Sequence, residues 1–138
     1  MTFDEIIKKV QAHKLRMTPS CDEHNIQKSC VQWFRLTHPS MKSILFAIPN
    51  AARRSARNGA YMKDEGMLSG VSDLILLKSN RYYGALCIEM KKKGGRQSPS
   101  QKEWQKEVEA NGSKYVVCHS LEEFMDEVNK YIKDIKDI

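Results

Sequence analysis

The stretch from Tyr82 to Cys118 leaves this chain the fewest choices. Tyr82 to Met90 is an apolar run of strand length, and Tyr115 to Cys118 is a second, shorter one. Between them, Ser98-Pro99-Ser100-Gln101 combines an N-cap, a proline at the first helical position and a glutamine at the third, and Asn111-Gly112 is a helix stop. A helix of that length between two strands cannot be a hairpin connection. It predicts a parallel crossover, and hence helices packed on a sheet.

The rest of the chain adds elements to that unit. Val71 to Leu77 reads as a buried strand that turns at Lys78-Ser79-Asn80-Arg81 into Tyr82 to Met90, a hairpin-like pair. Ser43 to Ile48, closed by Pro49, reads as another strand. Phe3 to Leu15 places Ile6, Ile7, Val10 and Leu15 at helical intervals. Ser20, three residues before Glu23, is a capping-box signature for a second helix carrying Ile26, Cys30, Trp33, Phe34 and Leu36. A basic stretch with Arg53, Arg54 and Arg57 leads to Asn58-Gly59, read as a turn. Ser120 and Glu123 open a last helix with Leu121, Phe124, Val128, Tyr131 and Ile132, and the tail from Lys130 is expected to fray. The large aromatics Trp33, Phe34, Trp104 and Phe124 lie on apolar helix faces and are expected in the core. The fold class is therefore α/β, a mixed central sheet flanked by helices.

Size and charge narrow the function. A chain of 138 residues is one ordinary domain, and 23 Lys plus Arg against 17 Asp plus Glu give a net charge of +6, which favours an acidic partner. No apolar run approaches the roughly 18 residues that span a bilayer, and the first ten residues lack the apolar core of a secretory signal, so a cytosolic protein is expected. The four cysteines, Cys21, Cys30, Cys87 and Cys118, show neither C-x-x-C nor zinc spacing and read as reduced, mostly buried thiols. Nothing points to a membrane partner or a small-molecule cofactor.

The chemistry concentrates in Asp73 and in Cys87-Ile88-Glu89-Met90-Lys91. Side chains alternate along a strand, so Glu89 and Lys91 share a face, and pairing of the two strands brings Asp73 to the same end of the sheet. Two converging carboxylates repel unless a cation lies between them, and an all-oxygen site suits Mg2+ or Mn2+. On spacing alone the same residues also fit a structural ion pair at a strand end. Glu23 and Gln101 likewise fit the third position of a capping box, and the lysines fit a solvated surface.

These residues resemble the virus-type replication-repair nuclease (VRR-NUC) domain of the PD-(D/E)xK nuclease superfamily. Gly70-Val71-Ser72-Asp73-Leu74 is similar to its G-V-P-D-L block, and Ile88-Glu89-Met90-Lys91 to its acid-x-lysine block. Gly95-Arg96-Gln97-Ser98-Pro99-Ser100-Gln101 with Trp104 is similar to the block that follows. Glu23, Gln27 and Trp33 resemble the opening helix, and Lys63-Asp64-Glu65-Gly66 the segment before the first strand. The likeness covers most of Glu23 to Phe124. It leaves Met1 to Met17 outside as an N-terminal helix and makes residues 18–138 the nuclease domain. Ser72 departs from the family pattern, which has proline there.

The resemblance implies a restriction-endonuclease-like core. Asp73, Glu89 and the Met90 carbonyl would bind the divalent metal, with Glu23 a further ligand, direct or through water. It implies Lys91 in the chemical step and Gln101 orienting water or substrate. Lys92, Lys93 and Arg96, with Arg53, Arg54 and Arg57, are expected to contact DNA phosphates. Small proteins resembling this family act on branched DNA, so a homodimer resolving four-way junctions is expected, with the first helix or the last as its contact. The alternatives are a general nicking or flap nuclease and a non-catalytic nucleic-acid-binding module.

Overall fold

The computed structural model describes residues 1–14, 22–49 and 56–136. Their order is α1 (Phe3–Lys14), α2 (Asp22–Thr37), a 3-10 turn (Pro39–Met41), β1 (Leu45–Ala47), α3 (Ala56–Asp64), β2 (Leu74–Leu76), β3 (Leu86–Met90), α4 (Pro99–Ala110), β4 (Lys114–Cys118) and α5 (Leu121–Lys133). The strands form one mixed sheet in the order β1-β2-β3-β4. The β1/β2 and β2/β3 pairs are antiparallel, and β3/β4 is parallel across the α4 crossover.

Helix boundaries follow local chemistry. Thr2 and Glu5 form a reciprocal capping box at the start of α1, one that the sequence reading did not use. Ser98 and Gln101 form the expected box on α4, and Ser120 accepts from the Glu123 N–H on α5. The Ser20 cap lies outside the described residues. At the end of α4, Gly112 takes φ +91, its N–H bonds to the Glu109 carbonyl, and Ser113 N–H bonds to the Val108 carbonyl. This is a Schellman stop.

Alternation sorts the sheet into two faces. Leu45, Leu74, Leu76, Leu86, Ile88, Met90 and Cys118 join Cys30, Trp33 and Phe34 of α2 and Leu121, Phe124, Val128 and Tyr131 of α5 in one buried core. Each of these large apolar side chains stabilises the fold by about 1.5–3 kcal/mol. Ile6 and Val10 of α1 extend the core behind α2, to which α1 packs. On the opposite face, α4 lies over β4, with Trp104 edge-on to Tyr115 at 6.0 Å between centroids. Glu89 faces this side. Cys30, Cys87 and Cys118 are buried, and Cys21 lies outside the described residues.

Four expectations need correction. Asn58-Gly59 is not a turn but lies inside α3. The stop is Gly66 at φ +108, where Gly66 N–H bonds to the Lys63 carbonyl and Met67 N–H to the Met62 carbonyl. The second strand of the hairpin starts at Leu86 rather than Tyr82, because Asn80 Oδ1 occupies the N–H groups of Tyr82 and Tyr83. Lys130 to Lys133 stay helical, because Tyr131 is buried and the carbonyls of Tyr131 and Asp134 accept from Asn80 Nδ2 and Arg81 N–H. Trp104 is half-buried rather than core, since α4 buries no residue fully. Of the two helices expected as dimer contacts, α1 buries Ile6 and Val10 inside the subunit and leaves Phe3 55% exposed, and α5 buries Leu121, Phe124, Val128 and Tyr131.

Candidate active site

Three segments build the site: the turn into β2, the end of β3 and the first turn of α4. Gly70 begins it. At φ +85, with an added Cβ falling 2.4 Å from the Ser100 carbonyl oxygen, only glycine lets this turn press against α4. Ser72, where the family has proline, is buried and donates from Oγ to the Leu74 carbonyl at 3.0 Å. That bond fixes the approach to β2 by a different means.

Asp73 follows. Its carbonyl accepts from Ile48 N–H at 2.9 Å, which ties it to β1, and its Oδ2 accepts from Met90 N–H at 2.7 Å. The carboxylate is thus carried across to β3 and comes within hydrogen-bonding reach of the Glu89 carboxyl. Glu89 itself is 2% exposed. Its Oε1 accepts from Gln101 Nε2 at 3.0 Å and its Oε2 from the Tyr115 hydroxyl at 3.4 Å, while Lys91 Nζ stands 3.8 Å from Oε1. Burial, then the neighbouring Asp73 charge, push the Glu89 carboxyl up to about 8, and Lys91 and Tyr115 only partly offset this. An arrangement that sets the half-buried Asp73 carboxylate against the buried Glu89 carboxyl is suited to a cation.

Gln101 serves both of its readings at once. Its Oε1 accepts from Ser98 N–H at 2.7 Å in the capping box, and its Nε2 remains free to donate to Glu89. Lys92, Lys93 and Arg96 are exposed on the β3–α4 connection. That connection is fastened by Gly95, whose N–H donates to the Lys92 carbonyl at 2.8 Å and whose carbonyl lies 3.1 Å from His119 Nε2.

The remaining candidates are placed differently. Glu23 is half-buried on α2, one turn before Ile26 and two before Cys30, and lines a 540 Å³ cleft with Gln27, Lys28 and Arg35. Among the described residues no group of three or more His, Cys, Asp and Glu side chains could hold a metal ion, so Glu23 does not complete a triad with Asp73 and Glu89. Arg53 and Arg54 lie outside the described residues, and Arg57 is on α3 with its side chain not described.

Tyr115 is the residue the sequence reading missed. It lies opposite Cys87 in the parallel register, on the face of Glu89, and its phenol is pushed far up by burial, so it stays a donor. Period-two alternation would have found it once the β3/β4 register was known.

A mixed sheet with an aspartate entering its second strand and an acid-x-lysine on its third, flanked by helices, is a restriction-endonuclease-like fold of the PD-(D/E)xK type. The family follows from a direct match: the VRR-NUC domain covers residues 8–122, and this chain belongs to that family. The VRR-NUC domain is a nuclease domain, which implies nucleic-acid binding. The fold is similar to that of a solved VRR-NUC domain protein at 22% identity and TM-score 0.73, over 83% of this chain and 91% of that one. No curated protein matches the chain. Among the described residues, no helix is long and apolar enough to cross a membrane.

Proposed function

We propose that this protein is a metal-dependent deoxyribonuclease that hydrolyses phosphodiester bonds, with a preference for branched DNA such as four-way junctions. The observation that carries the reading is the convergence of the Asp73 and Glu89 carboxyl groups beside Lys91 at the end of β3.

The donor set fits Mg2+ or Mn2+. Mg2+ keeps several waters and needs only one or two carboxylates from the protein, so Asp73 and Glu89, with the Met90 carbonyl, are sufficient, and Glu23 would join through water. When bound, the ion stabilises charge on the attacking and leaving oxygens. Gln101 Nε2 and the Tyr115 hydroxyl hold one Glu89 oxygen each, which fixes the plane of the carboxylate. Lys91 positions the attacking water and offsets charge developing on the phosphate. Lys92, Lys93 and Arg96 hold the backbone on one side of the site, with Arg53, Arg54 and Arg57 extending that surface.

Resolving a junction takes two cuts on symmetry-related strands, which a homodimer would supply. The burial of Ile6 and Val10 of α1 and of Leu121, Phe124, Val128 and Tyr131 of α5 inside the subunit supports a second reading, a monomeric nicking or flap nuclease. One experiment separates these. Cleavage of linear, flap and four-way DNA is measured with Mg2+, Mn2+ or EDTA, beside light scattering with and without junction DNA. The proposal expects metal-dependent cutting, fastest on junctions, by a species of twice 15.9 kDa. Cutting in EDTA sinks the metal mechanism. A monomer that cuts linear and branched DNA alike leaves the second reading.

A further inference from the structure

The turn between β2 and β3, residues 78–84, lies at the end of the sheet away from Asp73 and Glu89, and no step of the proposed cleavage uses it. Its backbone is fixed by many bonds for so short a segment. Asn80 Oδ1 accepts from the N–H groups of Tyr82 at 2.9 Å and Tyr83 at 2.8 Å, and Asn80 Nδ2 donates to the Tyr131 carbonyl at 3.0 Å. Arg81 N–H donates to the Asp134 carbonyl at 2.8 Å and Gly84 N–H to the Gly112 carbonyl at 2.9 Å. The buried Tyr131 hydroxyl donates to the Lys78 carbonyl. Upon this ordered backbone the side chains remain open to solvent: Tyr82 is 69% exposed and Arg81 is exposed. A lone exposed tyrosine needs no explanation, but one on a pre-ordered turn loses little further entropy when it is covered.

The surroundings choose the partner. Lys78 and Arg81 join no ion pair among the described residues, and Lys130 and Lys133 are exposed on the last turn of α5, which reaches this turn through Tyr131 and Asp134. Lys114 stands 5.8 Å from the Tyr83 ring centroid and 3.8 Å from Glu127. An anionic partner is favoured. Tyr83 already stacks on Tyr131 at 6.5 Å and 26°, which leaves Tyr82 as the open ring. A projecting ring beside cations suits a stacked base with its phosphates, whereas peptide anchors insert into recesses.

We infer that the 78–84 turn is a second nucleic-acid contact, with Tyr82 stacking on a base of an unpaired DNA strand and Arg81 and Lys78 meeting its phosphates. The inference rests on the nuclease reading for the identity of the substrate. The strand residues Leu86 to Glu89 alone span about 10 Å at ~3.3 Å per residue, and the turn that carries Tyr82 lies beyond them. A substrate touching both ends therefore needs an arm of at least that reach.

The test is equilibrium binding in EDTA of a labelled single-stranded oligonucleotide and of a duplex with a single-stranded arm to the full chain. Tyr82→Ala is expected to weaken both by about five- to a hundredfold, while Tyr82→Phe, which keeps the ring, retains the affinity. Arg81→Gln is expected to lower the salt slope by roughly 0.7, one contact on a single strand. Wild-type affinity in Tyr82→Ala overturns the inference. So does a change in the mass of Tyr82→Ala by light scattering with oligonucleotide binding intact, which would make the turn a contact between copies of the chain. Because no cleavage is read, a failure of the nuclease reading would appear separately, as a wild-type protein that binds the oligonucleotide and cuts nothing in Mg2+ or Mn2+.

Discussion

The two ends of the sheet solve opposite problems with similar parts. At the turn joining β2 to β3, a carboxamide, a tyrosine hydroxyl and several backbone groups neutralise one another, and no buried charge is left over. At the Asp73–Glu89 end, a carboxamide and a tyrosine hydroxyl are again present, but they are aimed at a buried carboxylate that has a second carboxylate as its neighbour. The first end is complete in itself. The second is built around a charge imbalance that the chain does not cure, and such an imbalance marks a functional site more strongly than any single residue type in it.

Glu89→Gln should break this comparison most severely. The variant removes the charge but keeps the shape, so cleavage is expected to vanish while the metal-free fold gains stability. The sign follows from the shift: the folded-state value of about 8 lies above the ordinary carboxylate value of 4.5. A raised value contributes stability that is fully present below about pH 4.5 and is lost as pH rises through about 8. Metal-free wild type should therefore melt at lower temperature at pH 9 than at pH 5, a decline that Glu89→Gln flattens and that Mn2+ counteracts at pH 8. Thermal unfolding of both proteins across that range checks it. A wild-type melting profile parallel to that of the variant would contradict the buried-charge account.

Gly70→Ala is the next largest effect and tests how the imbalance is assembled. The added methyl would sit 2.4 Å from the Ser100 carbonyl oxygen in a left-handed conformation. The conformation costs ~1–2 kcal/mol and the overpacking ~1–3 kcal/mol, so a loss of about 2–5 kcal/mol in unfolding free energy is expected by denaturant titration. Activity should fall with it, because Asp73 and Gln101 are held together by this contact.

Much of the frame was legible because its signals are local. The boxes at Ser98 and Ser120 and the alternation of Ile88, Glu89 and Met90 each need only a few neighbouring residues, and they placed α4, α5 and the acid-x-lysine strand correctly. What escaped depends on distant residues. Gly59 sits within a helix whose stop is Gly66, and Asn-Gly chemistry alone does not reveal which glycine ends it. Tyr82 is apolar enough for a strand, but Asn80 occupies its N–H. Tyr115 could not be assigned to Glu89 because the register across a twelve-residue helix is set by packing, not by the strand sequences. The same holds for Gly70, whose necessity appears only when Ser100 is brought against it.

The smallest expected effect gives the sharpest form of the comparison, since each end of the sheet carries one buried tyrosine hydroxyl. Tyr131 donates to the Lys78 carbonyl, a neutral acceptor in a self-contained network, so Tyr131→Phe should cost about 1 kcal/mol of stability and leave Mn2+ affinity unchanged. Tyr115 donates to Glu89 at 3.4 Å, a long bond to a group whose proposed partner is an ion. Tyr115→Phe frees one carboxylate oxygen to rotate. Outer partners of metal ligands typically contribute 10–100-fold to affinity, and so long a bond belongs near the lower figure, about tenfold. Calorimetric titration with Mn2+ and thermal unfolding, run on both variants, should therefore give crossed outcomes: stability lost at one end, affinity at the other. If both variants lost stability alone, Tyr115 would be a packing residue like Tyr131, and the two ends of the sheet would differ in charge but not in purpose.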